Sequence, residues 1–334
     1  MKKSPVVVAY GGGVDSTAML VLMKNEGIRP DLIMFADTGG EKPETYEYVR
    51  GMDAWLSRVG FPSVTWVKKV TLESTSYSSL AGNCFANETL PSLAFGMKSC
   101  SIKWKQDPQD YALMGCSRGP NACPPSPVWI QAKADGVKVR KFIGYDASPA
   151  DIKRARRAPK ETEDFIYEYP LIDRGIRREE CIKIILEEGL QVPIKSACYF
   201  CPASKKWELY WLAGTSPDLF LKALAMEYNA LTGKFSRFDA VEFGDTWENL
   251  VQNADSFPST NICVGLGRSF AWNQWAIVNK IVNRERNQVI ADKAWLLEMA
   301  EIERNGSGGN ASDARGCAAM EEDQEQQIDM FEVQ

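Results

Sequence analysis

Residues 6–17, Val6-Val7-Val8-Ala9-Tyr10-Gly11-Gly12-Gly13-Val14-Asp15-Ser16-Thr17, restrict the fold more than any other stretch of the chain. Val6 to Ala9 is short, wholly apolar and mostly β-branched, the pattern of a strand buried on both faces. Three glycines follow, then an acid and two hydroxyls, then the apolar run Ala18 to Met23. That order predicts strand, glycine turn, helix. Such a turn converges several backbone N–H groups and the positive end of a helix on one point, where a phosphate fits. Glycine permits φ > 0 and a close approach that a side chain would obstruct.

Three nucleotide-binding loops share this outline, and a turn without a ligand is the plain alternative. A Walker loop is excluded, because no Lys follows the glycines at the required spacing. A dinucleotide fingerprint is half met, with Ser16 where the third glycine belongs. The third is the pyrophosphate loop, Ser-Gly-Gly-x-Asp-Ser, which Gly11 to Ser16 matches except for Gly11 in the place of the first serine. A second apolar strand, Asp31 to Ala36, ends in Asp37-Thr38-Gly39-Gly40-Glu41-Lys42-Pro43-Glu44-Thr45.

Taken together, the two motifs resemble the PAPS reductase-like family of pyrophosphate-loop ATP pyrophosphatases, in the adenine nucleotide α-hydrolase-like superfamily, and in particular its phage-type members. The resemblance continues loosely to about residue 215. It implies ATP (or PAPS or APS) with Mg²⁺ as ligand, held by Gly11, Gly12, Gly13, Asp15, Ser16, Thr17, Asp37, Thr38, Gly39 and Gly144. In that scheme Asp15 helps to hold the metal and Ser16 contacts the leaving phosphates, making these two the catalytic pair. Asp37 orients the nucleotide. Gly144 enters through Ile143-Gly144-Tyr145-Asp146, which with Asp151 and Arg154 resembles the family's Ile-Gly pattern followed by an acid and an arginine.

Periodicity carries the fold further. A helix is expected from Glu44 to Arg58, with Pro43 in its first turn, and a strand from Ser63 to Val70. Further strands are expected over Lys138 to Tyr145 and Phe165 to Leu171, and a helix from Arg177 to Glu188 closed by Gly189. The alternation implies α/β architecture: a Rossmann-like parallel sheet flanked by helices, with ligands beyond the carboxyl ends of the strands. Residues 1–215 then form the nucleotide-binding domain, with 71–135, rich in Ser, Gly, Pro and Asn, an insertion over the site. Residues 216–304 form a helical C-terminal region, with helices expected over 205–232 and 285–304 and no assignment for 233–284. From Asn305 the composition turns to Gly, Ser, Asn and acid, so 305–334 is expected to be a flexible, disordered tail.

The chain has 334 residues, a net charge of −5 and no histidine. Such a balance argues against a generally basic, nucleic-acid-coating surface. No apolar run is long enough to span a bilayer, and Met1-Lys2-Lys3 leads straight into a strand; a cytoplasmic protein without membrane contact is expected. Nine cysteines in that setting suggest reduced thiols available for metal or redox work. Cys198-x-x-Cys201, before an expected helix, is the sharpest motif after the glycine loop. The family resemblance adds Cys100, ahead of Lys103 and Pro108, and Cys181, after Arg178. Cys100, Cys181, Cys198 and Cys201 then make a four-thiolate set for a [4Fe–4S] cluster or structural Zn²⁺. Cys100 and Cys181 as small buried residues is the bland reading, and Cys116 with Cys123 is the reserve pair.

The implied reaction is adenylation of a substrate with release of pyrophosphate, directed at sulfur transfer in nucleic-acid modification, with a nucleic acid and a sulfur-donor protein as partners. Reduction of PAPS or APS is a second reading. It lacks its usual motif, because that family's C-terminal cysteine is followed by histidine, and Cys317 stands in a different setting. A non-catalytic nucleotide-binding module is a third. Gln327-Ile328-Asp329-Met330-Phe331 resembles the short peptide with which bacterial DNA-processing proteins dock on the sliding clamp. Two surface features carry plainer readings. Lys153, Arg154, Arg156, Arg157 and Lys160 are either a phosphate-binding cluster or a solvated face balanced by Glu161, Glu163 and Asp164. Trp207, Tyr210 and Trp211 either stack on a base or pack against the sheet.

Overall fold

A computed structural model describes residues 2–157, 159–232, 265–268, 270–283 and 288–306. Strand β1 (Val6–Ala9) leads through the glycine turn into α1 (Val14–Asn25). There follow β2 (Leu32–Asp37), α2 (Pro43–Arg58) and β3 (Val64–Lys68). Next come α3 (Leu80–Ala86), a 3₁₀ turn at Ser92–Phe95, and α4 (Ser99–Ser101), which continues through a π-helical turn (Ile102–Gln106) into α5 (Asp107–Met114). Helix α6 (Pro127–Asp135), β4 (Val139–Ile143), α7 (Pro149–Ala155), β5 (Phe165–Glu168), α8 (Pro170–Asp173) and α9 (Arg178–Glu187) complete the first part. The second part comprises α10 (Lys206–Thr215), α11 (Pro217–Thr232), α12 (Trp272–Val278), the short hairpin β6 (Val282–Asn283) with β7 (Gln288–Val289), and α13 (Lys293–Gly306).

The first five strands form one parallel sheet in the order β3-β2-β1-β4-β5. The order reverses direction between β2 and β4, on either side of β1, which makes the carboxyl end of β1 the crevice where such sheets bind ligands. Alternation along β1 divides the core. Val6 and Val8 point to a layer built by α1, α2 and α9, with Met19, Leu20, Trp55, Leu56 and Ile185 fully or nearly buried. Val7 points the other way, with Met34, Val67 and Phe165, against Leu113 of α5 and Ala132 of α6. The protein is therefore a three-layer α/β fold in this part, as its sequence leads one to expect.

Three expectations need correction. Residues 107–135 are not a lid over the site: α5 and α6 are the helical layer on one face of the sheet. Other parts of 71–135 do reach the loops beyond the strands: Leu80 N–H donates to the Thr38 carbonyl and Lys105 pairs with Glu41, and Leu80, Ala81, Leu90 and Trp104 join the second core. The helix expected over 205–232 is broken at Ser216-Pro217, because proline offers no N–H to the preceding turn and drives Ser216 out of the helical region (φ −140°, ψ 65°). The last helix begins at Lys293, not 285, the residues before it carrying the β6–β7 hairpin.

The second core gathers α10 to α13 with Leu80, Ala81, Leu90 and Trp104 from the 79–104 segment and Phe200 from the Cys-x-x-Cys turn. Glu227, fully buried on α11, accepts hydrogen bonds from the backbone N–H of Leu266, Trp272 and Asn273 and from the Asn273 amide, so one carboxylate ties down the entry to α12. Among the described residues, no helix is long and apolar enough to cross a membrane. The expected tail beyond Gly306, Cys317, the Gln327–Phe331 peptide and residues 233–264 lie outside the described residues.

Candidate functional site

The first turn of α1 is the organising feature. Gly12 adopts φ +66°, and a Cβ there would meet Val49 of α2 at 2.6 Å, so glycine is required twice over. Gly13 caps the helix. On the other side of the switch point, Gly144 follows β4 so closely that a Cβ would lie 2.7 Å from Ser16 Cα and 2.9 Å from Ser16 N. The spacing of the first motif and the Ile-Gly pattern, 130 residues apart in sequence, thus meet in one place.

The polar groups here are incompletely satisfied. Ser16 Oγ accepts from Gly11 N–H (3.2 Å) and Gly13 N–H (3.3 Å) and donates to the Gly13 carbonyl (3.1 Å). These are long bonds, and they put a hydroxyl oxygen in front of amides that a phosphate oxygen would otherwise meet. Asp15 Oδ2 accepts from Arg178 Nη1 at 2.8 Å, at the start of α9, while Asp15 Oδ1 is buried with no hydrogen-bond partner. Burial pushes the Asp15 carboxyl up to about 6; Arg178 opposes the shift, and Asp146 and Asp151 add to it. Asp146 is itself buried, its Oδ1 accepting from Ser148 N–H, at the entry to α7. Thr17 points elsewhere: its hydroxyl is fully buried against the Tyr10 hydroxyl at 3.2 Å.

The loop after β2 is built differently. Asp37 accepts from Gly39 N–H (2.7 Å) and the Tyr46 hydroxyl (2.6 Å). Gly39, at φ +69°, leaves no room for a Cβ beside Ser79. Thr38 is fully buried, its hydroxyl donating to Glu41 Oε1 (3.2 Å) and lying 3.3 Å from Cys198 Sγ. Glu41 and Cys198 form a bridge, Tyr199 N–H donates to the Gly40 carbonyl at 2.9 Å, and Gly40 is pressed against the Phe200 ring. Lys105 reaches in from the π-helical turn to Glu41 at 2.8 Å. Burial is the largest influence and works against the lysine charge, but Glu41, Cys198 and Cys201 together outweigh it and hold the Lys105 pKa above its usual value. The Cys198 thiol, fully enclosed, is pushed well up by burial and by Glu41.

No protein-family model matches the chain, and no curated protein matches it. What the site can do rests on its own geometry.

The expected four-thiolate set is not gathered. Cys198 and Cys201 share the Lys105 environment. Cys181 lies in the core between α9 and α1, and Cys100, a free thiol, packs against the second core, of which Cys84 is part. Among the described residues, no group of three or more Cys, Asp or Glu is placed to hold a metal ion. Cys116 and Cys123, the reserve pair, face each other across a two-way backbone bridge (both N–H to carbonyl distances 2.9 Å) but sit in the loop between α5 and α6. The residues present do not fit a four-thiolate cluster, and no chemistry is routed through one. Mg²⁺ is a different case, since it needs one or two carboxylates and takes its other ligands from substrate phosphates and water. The unpartnered Asp15 oxygen suits it.

Trp207 and Tyr210 do pack rather than stack on a ligand, though not against the sheet. Tyr210, in the second core, sits edge-on to Trp275 of that core and to the exposed Trp295, and Arg304 lies over the buried Trp207. Trp211, half-buried, carries Lys42 over its ring. Sequence reasoning missed Arg178 as a partner of Asp15, and Glu41 with Lys105 as the pair that seals the second loop. The first was legible in principle, because Arg178 had been noted only as a marker for Cys181.

Proposed function

We propose that the chain is a pyrophosphate-loop enzyme that binds an adenine nucleotide triphosphate and activates an acceptor at its α-phosphate. The supporting observation is the meeting of the Gly11–Ser16 loop with Gly144 at the sheet's switch point, around an Asp15 oxygen left buried and unpartnered. In this reading an acceptor oxygen forms a bond to the α-phosphorus as the bond to the bridging oxygen breaks, and pyrophosphate leaves. Ser16 gives up its intraloop bonds, freeing the Gly11 and Gly13 amides for the leaving phosphates. Asp15, paired through Oδ2 with Arg178 and with Oδ1 unpartnered, would help to hold Mg²⁺, which would neutralise phosphate charge. The work of the protein is positioning and fixed electrostatics. The adenylated acceptor is then open to a sulfur nucleophile from a donor protein, with AMP leaving.

Labelled ATP tests the reading. Expected is saturable, Mg²⁺-dependent nucleotide binding, with pyrophosphate released once an acceptor is supplied, and more than about 100-fold loss of release in Asp15→Ala with Ser16→Ala. Binding without release under every acceptor leaves a non-catalytic nucleotide module, and sulfite formed from PAPS makes the protein a reductase. Nucleotide affinity untouched by the double substitution overturns the site.

A further inference from the structure

The basic run Lys153, Arg156, Arg157 and Lys160 changes meaning once the chain is folded. In sequence it is followed at once by Glu161, Glu163 and Asp164, which reads as a balanced, solvated surface. In the structure two of those acids are drawn away. Glu161 pairs with Lys138 at 2.7 Å, and the same lysine is fixed by the Thr162 carbonyl at 2.6 Å. Asp164 pairs with Lys133 of α6. Asp151 is taken by Arg154 at 3.0 Å. Lys153, Arg156, Arg157 and Lys160 are all exposed, and none has an ion pair with a described residue. Four exposed cations thus stand within eight residues of sequence, with Glu163 alone of the three following acids not paired elsewhere among the described residues, on a chain whose net charge is −5.

Their place is as informative as their sign. Helix α7 starts at the candidate site, where Ser148 N–H binds Asp146, and Ala147 N–H donates to the Ile176 carbonyl at 2.8 Å, tying its entry to the loop that carries Arg178. Lys153 is in the last turn of α7, about 6 Å along the axis from the helix start, and Arg156, Arg157 and Lys160 follow the helix end. We propose that this patch binds the phosphodiester backbone of a nucleic-acid strand and that this strand is the acceptor presented to the nucleotide. The acceptor role rests on the function proposed above; the binding of the strand does not. Phosphate contacts of this kind position a strand without reading its sequence, so a patch of four flexible cations and no base-reading element is suited to the task.

Fluorescence anisotropy of the full chain tests it, with labelled single-stranded DNA, RNA and duplex DNA of one sequence, and a polyglutamate peptide as the non-nucleic polyanion. Expected is binding of a nucleic acid with polyglutamate far weaker, the three arms telling which source carries the backbone. In the variant K153Q/R156Q/R157Q/K160Q, with its melting temperature unchanged, affinity at low salt falls at least about tenfold and the slope of log K against log salt shrinks by about 2–3. The variant keeps its adenine-nucleotide affinity and loses stimulation of pyrophosphate release by the strand. Equal affinity and slope in wild type and variant overturn the proposal, as does polyglutamate binding as tight as nucleic acid. If the strand binds through the patch but wild type binds no nucleotide, the proposed function fails and the patch stands; if nucleotide binds and the patch variant behaves as wild type, the reverse holds.

Discussion

Two loops lie beyond the strand ends, and they differ in degree: more of the second loop's polar groups are met inside the protein than of the first's. In the Asp37–Glu41 loop the buried Thr38 hydroxyl and Cys198 thiol find partners inside the protein and Lys105 pairs with Glu41 Oε1, although Glu41 Oε2 is buried without a hydrogen-bond partner. In the Gly11–Ser16 loop the amides are met only by long bonds to a serine hydroxyl, and Asp15 keeps one carboxylate oxygen buried without a partner. Satisfied polar networks fix a fold, whereas unsatisfied buried groups are costly and persist where something else completes them. Each loop keeps one buried carboxylate oxygen without a partner, and only in the first does that oxygen stand beside a glycine turn at a helix start, which is where the proposed function puts the nucleotide. The resemblance that assigned Thr38 to the nucleotide treated both loops alike; the Thr38 hydroxyl is inside the protein.

The contrast breaks most decisively at Glu41. Removing it as Glu41→Ala leaves the Thr38 hydroxyl and the partly exposed Lys105 without their acceptor, with an expected cost of about 1–3 kcal/mol in urea denaturation. The folded fraction should bind adenine nucleotide almost as wild type does. A large loss of affinity with little loss of stability would place Glu41 in the site and erase the distinction between the loops.

Comparable in size is the response to pH. The Asp15 carboxyl titrates near 6 in the folded chain, against about 3.8 when unfolded. Between those values the native state binds the extra proton, so this residue's contribution to stability is present below about pH 4, falls as pH rises through 6, and stays level above it. The difference is at most about 3 kcal/mol. Asp15→Asn should remove this component, read as a wild-type minus variant difference in urea midpoints at pH 4.5 and 7, since Asp151 and Glu44 are also raised. Ligand binding should follow the opposite course, weakening below about 6 as Asp15 takes up its proton. A flat difference curve would mean that Arg178 neutralises Asp15 completely.

Gly144→Ala should cost about 2 kcal/mol, because the new methyl meets backbone atoms of α1, which cannot rotate aside. Its sharper signature is a nucleotide affinity lowered more than tenfold, through displacement of the α1 first turn. If affinity survives, the approach of β4 to the loop serves packing alone.

The sheet was legible because β1 and β2 are apolar, almost wholly buried runs, each ended by a glycine-containing loop, and the other strands follow at α/β spacing. Gly12 and Gly144 were legible because glycine at a strand end has few other uses. Residues 71–135 were not. Their helices are short and capped by Ser79 and Ser126, with prolines in the first turns of α5 and α6, so composition resembled loop while the fold made helices. Nor does sequence record which way a helix turns its cysteine, and on this the metal expectation depended.

Cys181 makes that last point measurable. It is fully buried on α9 against α1, its thiol pushed up by burial and by Asp15 and Asp146. Cys198 and Cys201 belong to the other loop, in the field of Lys105. If Cys181 is a small core residue, Cys181→Ala removes one sulfur's worth of packing, about 1 kcal/mol, the smallest effect of the series. Whatever iron or zinc the purified protein carries should be the same in wild type and variant, because no metal ligand has been removed. A variant that loses bound metal along with its visible absorption would show that the two loops are joined by a cluster through α9. The division between a poised loop and a sealed one would then give way to a single metal-braced site.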